Sequence, residues 1–216
     1  MPKTAPDFEL ETLARANGAR AVCGVDEAGR GPWAGPIVAA AVILTPEEFP
    51  RGLNDSKQLS AKKRDAFYDR LMACAAVGIG MADVTEITRF NIGQAGFLAM
   101  HRAIANLPKG ADFALVDGRH VPPGLVCDAR AVIRGDGRSL SIAAASIVAK
   151  VTRDRIMVAL AQQFPGYGWE TNMGYGTKAH ATGLQMHGVT PHHRRTFRPI
   201  HEMLCHQAET DFHQHT

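Results

Sequence analysis

The tightest constraint on this chain is a pair of adjacent acids set between two apolar runs. Residues 24–44 read GVDEAGRGPWAGPIVAAAVIL. Asp26 and Glu27 follow Ala21, Val22 and Val25, and the run from Ile37 to Leu44 comes soon after. Apolar neighbours on both sides set the acids against a core. A buried carboxylate is costly unless it is paired or bound to a cation. The sequence therefore poses the question of which cation reaches this place, and for what chemistry.

Residues 21–26 read as a short buried strand, 29–35 as a tight turn and 37–44 as a second strand, together a hairpin. Ser60 opens a helix in which Phe67, Leu71 and Cys74 recur at helical spacing. The alternation over 77–81 predicts a strand, and a helix is expected from about Asn91 to Leu107, stopped by Pro108. Short strands follow at 113–118 and 131–137. A long helix is expected over 139–164, with a small-residue face suited to close packing on a sheet. Residues 164–169 break it, and a shorter helix spans 178–187. Next come a loop over 190–199 and a helical stub.

The 216 residues suffice for one sizeable domain, and the formal charge of +3 permits a polyanionic partner without demanding one. The cysteines, at 23, 74, 127 and 205, form no C-x-x-C pair, so neither a zinc site nor a disulfide framework is expected. The N-terminus has no apolar secretory segment and no stretch is long enough to span a bilayer, so a cytoplasmic protein with no membrane partner is expected. Histidines crowd the C-terminal end. His213 and His215 offer metal ligands, but a solvated tail is the preferred reading.

Three acidic positions share one description. Asp26-Glu27, Asp117 and Asp136 each fall at or just past the end of a short apolar strand, in the company of glycine. In one sheet, such acids can converge at one edge. Converging carboxylates repel unless a cation neutralises them. Oxygen-only ligands select a hard ion, Mg²⁺ or Mn²⁺. Four of them can hold two ions about 3.5–4 Å apart, the separation used for displacement at phosphorus. Taken singly, each aspartate reads as ordinary turn chemistry, as Asp128 and Asp154 do. Side chains of Asp26 and Glu27 can meet in one site only if the pleat is broken there; Ala28-Gly29 and Gly31 offer that break, and the longer glutamate can reach around. Gly29-Arg30-Gly31 would let a backbone approach a ligand closely. The stretch Gly29 to Ala34 also matches a dinucleotide fingerprint, but Pro32 and Pro36 and the following β-like run deny it the helix that fingerprint needs.

The segments GVDEAGRGPWAGPIVAAAVIL (24–44), GLNDSKQLS (52–60), LVDG (115–118), RGDGRSLSIAAASIVAKVTRD (134–154), NMGYGTKAH (172–180) and HHRRTF (192–197) together resemble ribonuclease HII, the type 2 ribonuclease H of bacteria. The resemblance implies an α/β, RNase H-like fold: a mixed central sheet flanked by helices, with a helical C-terminal extension. It implies a catalytic domain over 21–200, between a 1–20 N-terminal segment and a His-rich 201–216 tail. The activity implied is two-metal endonucleolysis of RNA–DNA hybrids and of duplex DNA holding single ribonucleotides, cutting 5′ of the ribonucleotide to leave 3′-hydroxyl and 5′-phosphate. By motif position, Asp26, Glu27, Asp117 and Asp136 would be the catalytic metal ligands. Gly29, Arg30 and Gly31 would sense the 2′-hydroxyl, which distinguishes RNA from DNA. Tyr175 would stack on the next, deoxy, sugar, and Lys57 would contact substrate.

Arg138, Lys150, Arg153, Lys178, Arg194 and Arg195 are further candidates for phosphate contact. The family commonly has lysine where this chain has Met173. The related type HIII usually carries an additional N-terminal substrate-binding domain, for which the stretch ahead of Gly24 is too short. A non-catalytic hybrid-binding module is the other reading, disfavoured because pure binding needs no cluster of acids beside a polyanion. A monomer is the default expectation.

Overall fold

The protein is described by a computed structural model covering residues 5–205; the 1–4 stretch and most of the 201–216 tail, with His213 and His215, lie outside the described residues. The strands are β1 (Val22–Ala28), β2 (Ile37–Ile43), β3 (Ala76–Ala82), β4 (Phe113–Asp117) and β5 (Asp128–Val132). They form one sheet in the order β3-β2-β1-β4-β5. Pairings β1–β2 and β2–β3 are antiparallel, whereas β1–β4 and β4–β5 are parallel, so the sheet is mixed.

Helices α1 (Glu9–Ala16), α2 (Ala61–Cys74), α3 (Val84–Ala105), α4 (Leu140–Gln163), α5 (Trp169–Asn172) and α6 (Lys178–His187) surround it, and residues 198–205 are again helical. One face of the sheet, with Cys23, Val25, Ala39 and Ala41, packs on Ala95, Ala99 and Ala103 of α3. The other, with Ala40 and Val42, packs on the small-residue face of α4 through Ala144, Ala145 and Val148. Alternation along each strand delivers every second residue to each layer. At Gly24 the backbone of α4 at Ser141–Ile142 crosses so closely that a Cβ would overlap it. That crossing sets the start of α4 against the middle of β1.

The long helix begins where expected, with Ser139 as N-cap accepting from the Ile142 N–H, and α2 likewise begins after Ser60. Other expectations shift. The β1–β2 hairpin exists, but its connection is the 29–36 loop rather than a tight turn. The last strand lies at 128–132, because Arg134 is left-handed (φ 55°) and Gly135–Gly137 is a 3₁₀ turn. Helix α3 starts at Val84, under a capping box between Asp83 and Glu86. Asn91 interrupts it at φ 66° and accepts from the Gly93 and Gln94 N–H groups, so the expected start at Asn91 marks a restart within one helix. Helix α1 was not anticipated. Its Ala14 packs into a small core with Val22, Leu115, Val132 and Ile142.

Candidate active site

The acids of β1 and β4 are brought together by strand register. The parallel pairing ends at Val25↔Val116, and one residue further on each strand stand Asp26 and Asp117. Both share parity with the residues facing α4: Val22 and Leu115 lie in one core cluster with Ile142 of that helix. Asp136 arrives from the 3₁₀ turn after β5, and the turn is tied to β4 by the Gly135 N–H, which donates to Asp117 Oδ1 at 2.6 Å. One carboxylate oxygen from each of Asp26, Asp117 and Asp136 lies within 4.8 Å of the other two.

Glu27 stands outside that tight group. The expected break in the pleat does not occur beside it: the β1–β2 ladder runs through Asp26↔Ala40, Glu27↔Ala39 and Ala28↔Val38. Both acids lie on a regular strand and alternate faces, Glu27 with Cys23 and Val25 on the α3 side. Its carboxylate lies 3.4 Å from Arg30 Nη1. Because the acids sit at the end of the sheet, Glu27 still lines the same cleft of about 420 Å³ as Asp26 and Asp117, together with Gly29, Arg30, Gly31, Lys57 and Tyr175.

Electrostatics follow from this crowding. Burial, and then the charges of Glu27 and Asp117, push the Asp26 carboxyl well above the usual carboxylate range. Burial also raises Glu27, opposed by Arg30. Asp136 is raised by burial, Asp117 and Asp55, opposed by Lys57, whose Nζ is 3.7 Å away. Burial alone would lower the Lys57 ammonium, but Asp136 and Asp55 carry it upward overall. Lys57 is exposed and follows Asp55, whose carboxylate caps the short 56–58 turn by accepting from the Lys57 N–H. That turn is fixed to α4 by the buried pair Ser146 Oγ–Ser56 Oγ at 2.8 Å.

The 29–36 loop is held by two buried arginines that sequence reasoning had placed among the phosphate contacts. Arg194 donates to the carbonyls of Gly29 (2.6 Å), Arg30 (3.1 Å), Gly35 (2.9 Å) and Pro36 (3.1 Å). Arg153 donates to Pro36 (3.0 Å), Ala34 (3.0 Å) and Met173 (2.9 Å). Exposure is 1% for Arg153 and 0% for Arg194, so Arg194 cannot meet a phosphate, and all three guanidinium nitrogens of Arg153 are engaged by backbone. Burial lowers their pKa values to about 10 and about 9. Gly29 turns at φ +102°, with the Arg153 side chain where a Cβ would stand. Of the other basic candidates, Lys150 pairs with Asp154 at 2.7 Å on the cleft wall, and Arg138, Lys178 and Arg195 are exposed.

Tyr175 is also exposed, its ring 3.4 Å from the position of a Cβ on Gly31. Its backbone is anchored beneath. The Tyr175 carbonyl accepts from His180 Nδ1 at 2.9 Å, while His180 Nε2 accepts from Trp169 Nε1 at 3.0 Å and lies 3.1 Å from His193 Nε2. His193 Nδ1 accepts from the Thr190 N–H at 3.0 Å. These partners dictate a proton on His180 Nδ1 and one on His193 Nε2, each ring neutral. Neither this network nor the arginine clamp announces itself in the sequence: NMGYGTKAH and HHRRTF mark the segments, but nothing in them says which side chains turn inward.

The donor set fits a hard divalent cation. It consists of carboxylate oxygens alone, and burial and crowding disfavour the charged forms of Asp26 and Asp136 until a positive ion joins them. A mixed sheet that gathers acids at one end, beside an open cleft, is a frame that can hold divalent ions against a polyanion. The sequence model for "Ribonuclease HII" matches residues 23–201. A ribonuclease HII of Ruegeria pomeroyi is 59% identical over 201 residues, covering 93% of this chain and 86% of the relative. The crystal structure of ribonuclease H2 from Pyrococcus horikoshii OT3 superposes with a TM-score of 0.73 at 26% identity, covering 85% of this chain and 97% of that one. Bst-RNase HIII in complex with Mn²⁺ shares the fold at TM-score 0.71 and 20% identity, covering 89% of this chain and 71% of that one. The chain belongs to the ribonuclease HII family, metal-dependent endoribonucleases that act on RNA–DNA hybrids. Among the described residues no helix is long and apolar enough to cross a membrane.

Proposed function

We propose that the cleft hydrolyses the phosphodiester on the 5′ side of a ribonucleotide, in RNA–DNA hybrids and at single ribonucleotides within duplex DNA, leaving 3′-hydroxyl and 5′-phosphate ends. The observation that carries this reading is the convergence of Asp26, Asp117 and Asp136 beside a clamped Gly-Arg-Gly loop. Residues 21–200 form the catalytic domain. Asp26, Glu27, Asp117 and Asp136 would hold two ions, Mg²⁺ or Mn²⁺. When bound, such a pair supplies a nucleophile at neutral pH and neutralises charge on the attacked phosphate and the departing oxygen.

The remaining work falls to the chain itself. The carboxylates orient the scissile phosphate by fixing where positive charge can sit. Arg194 draws the Gly29 and Arg30 carbonyls inward, which makes the loop a rigid template for a ribose 2′-hydroxyl. Tyr175, lying against Gly31, offers a face for the sugar of the next, deoxy, nucleotide. Lys57 stands at the rim beside Asp136, where it can meet a phosphate. The protein works as a monomer in this reading.

The test is cleavage of a DNA duplex holding one ribonucleotide, beside an all-DNA duplex, in Mg²⁺, Mn²⁺ or EDTA. The expected result is a single cut 5′ of the ribonucleotide, with no cut in the control or in EDTA. Equal cutting of both duplexes would remove the 2′-hydroxyl from the reading.

A further inference from the structure

Glu11 lies on α1, ahead of the 23–201 stretch matched by the family, and its side chain is 1% exposed. Its Oε1 accepts from Ser139 Oγ at 2.6 Å, Ser141 Oγ at 2.6 Å and the Ser141 N–H at 2.9 Å. These donors form the first turn of α4, whose N-terminus carries partial positive charge that favours an acid. The backbone beside it is bound as well. The Asp7 N–H donates to the Arg138 carbonyl at 3.3 Å, and the Leu140 N–H donates to the Asp7 carbonyl at 3.0 Å.

What α1 grips in this way is the far side of the turn that carries Asp136. The Arg138 and Ser139 N–H groups both donate to the Gly135 carbonyl, at 2.9 and 2.8 Å, and the Gly135 N–H donates to Asp117 Oδ1. An unbroken path therefore runs from Glu11 through Ser139 and Gly135 to two of the three clustered acids. Up to Gly135 every side chain in it is buried, and only the last step meets the cleft, at Asp117.

We propose that Glu11 is a positioning residue for the carboxylate cluster: it fixes the junction between the 135–137 turn and α4, and with it the reach of Asp136 toward Asp26 and Asp117. The inference rests on reading Asp136 as a metal ligand. Partners that orient metal ligands are typically worth roughly 10- to 100-fold in affinity. Glu11 acts at one remove further, so an effect of about tenfold is expected. The N-terminal helix is then a working part of the site although it contributes no side chain to the cleft.

The experiment titrates Mn²⁺ into the metal-free full chain and reads binding by electron paramagnetic resonance, with thermal stability measured alongside. Four variants are compared: Glu11→Ala, Glu11→Gln, Asp136→Asn and Leu71→Ala. The last empties a core position on α2, outside the hydrogen-bonded path from Glu11 to Asp136, and controls for general destabilisation. Glu11→Ala is expected to weaken Mn²⁺ binding about tenfold, with cleavage recovering at high Mn²⁺, while Leu71→Ala loses stability without losing affinity. Glu11→Gln keeps an oxygen acceptor and most of the shape. It is expected to show a smaller weakening, and it carries the test if the alanine variant does not fold. Wild-type affinity in both Glu11 variants, with Asp136→Asn impaired, would overturn the proposal. Equal weakening in Leu71→Ala at equal loss of stability would do the same. Wild-type affinity in Asp136→Asn would instead remove the parent reading of the site.

Discussion

Among the described residues, two groups of like charges lie partly or wholly out of solvent, and they are treated in opposite ways. In the C-terminal part, Arg153 and Arg194 lie together without a carboxylate partner in the bonds that hold them, and every guanidinium nitrogen donates to a backbone carbonyl. At the end of the sheet, Asp26, Asp117 and Asp136 crowd one another with few donors, and Lys57 reaches only one of them, at 3.7 Å. Buried polar groups with all partners in place stiffen a structure, whereas unsatisfied ones cost stability. The contrast separates architecture from chemistry. Each guanidinium nitrogen finds an acceptor within the fold, whereas the acids are a donor set suited to a cation.

The sharpest way to break this contrast is to neutralise one acid. Asp26→Asn should lower cleavage on the order of a thousandfold, because several kcal/mol of charge stabilisation depend on a complete ligand set. The same variant should melt at a higher temperature than the metal-free wild type, since it removes the group whose charge burial and neighbours most oppose. Mn²⁺ should raise the melting temperature of the wild type and leave the variant nearly unmoved. A destabilised, fully active Asp26→Asn protein would mean that the acid is structural.

On the other side, Arg194→Met leaves the Gly29, Arg30, Gly35 and Pro36 carbonyls without that donor. A loss of about 3 kcal/mol is expected from denaturant titration. Residual enzyme should discriminate less between ribonucleotide-containing and all-DNA duplexes, as the loop loosens. A variant that keeps full stability would show that the clamp matters less than its bonding suggests.

The smallest expected effect concerns the histidines beneath Tyr175. Burial, and then His180, pushes the His193 pKa from 6.5 down to about 3, and His180 is lowered in the same direction by burial. A depressed folded-state value ties protonation to unfolding. Stability is full above about pH 6.5 and declines as pH falls toward 3. At pH 5 His193 alone accounts for a loss of about 2 kcal/mol. Denaturant midpoints at pH 5 and 7.5 should therefore differ more in the wild type than in His193→Gln. Equal differences in the two proteins would take the pH response away from this network.

Much of this could be read in advance, for identifiable reasons. Acids at strand ends beside glycine stand out because period-two apolar runs and turn residues are local signals, so the convergence of Asp26, Asp117 and Asp136 was within reach. The start of α4 was marked by Ser139. Helix α3 begins earlier than expected, under the Asp83–Glu86 capping box, and the expected start at Asn91 falls on its interruption. The long-range features stayed hidden. An arginine bonded to carbonyls some 160 positions away, as Arg194 is, leaves no periodic trace. Glu11 looks like any surface acid on a short amphipathic helix until Ser139 and Ser141 close over it. The break in the pleat that the following glycines offered Asp26 and Glu27 does not form, because the ladder past both is decided by pairing with β2.

That uninterrupted ladder has a consequence for how the enzyme comes into being. Sliding β1 by a single position against its neighbours would exchange the two acids, turning Glu27 toward α4 and Asp26 toward α3. A misaligned or half-formed sheet would thus assemble no competent centre. On the proposed reading of the acids, cleavage would therefore depend on correct strand alignment.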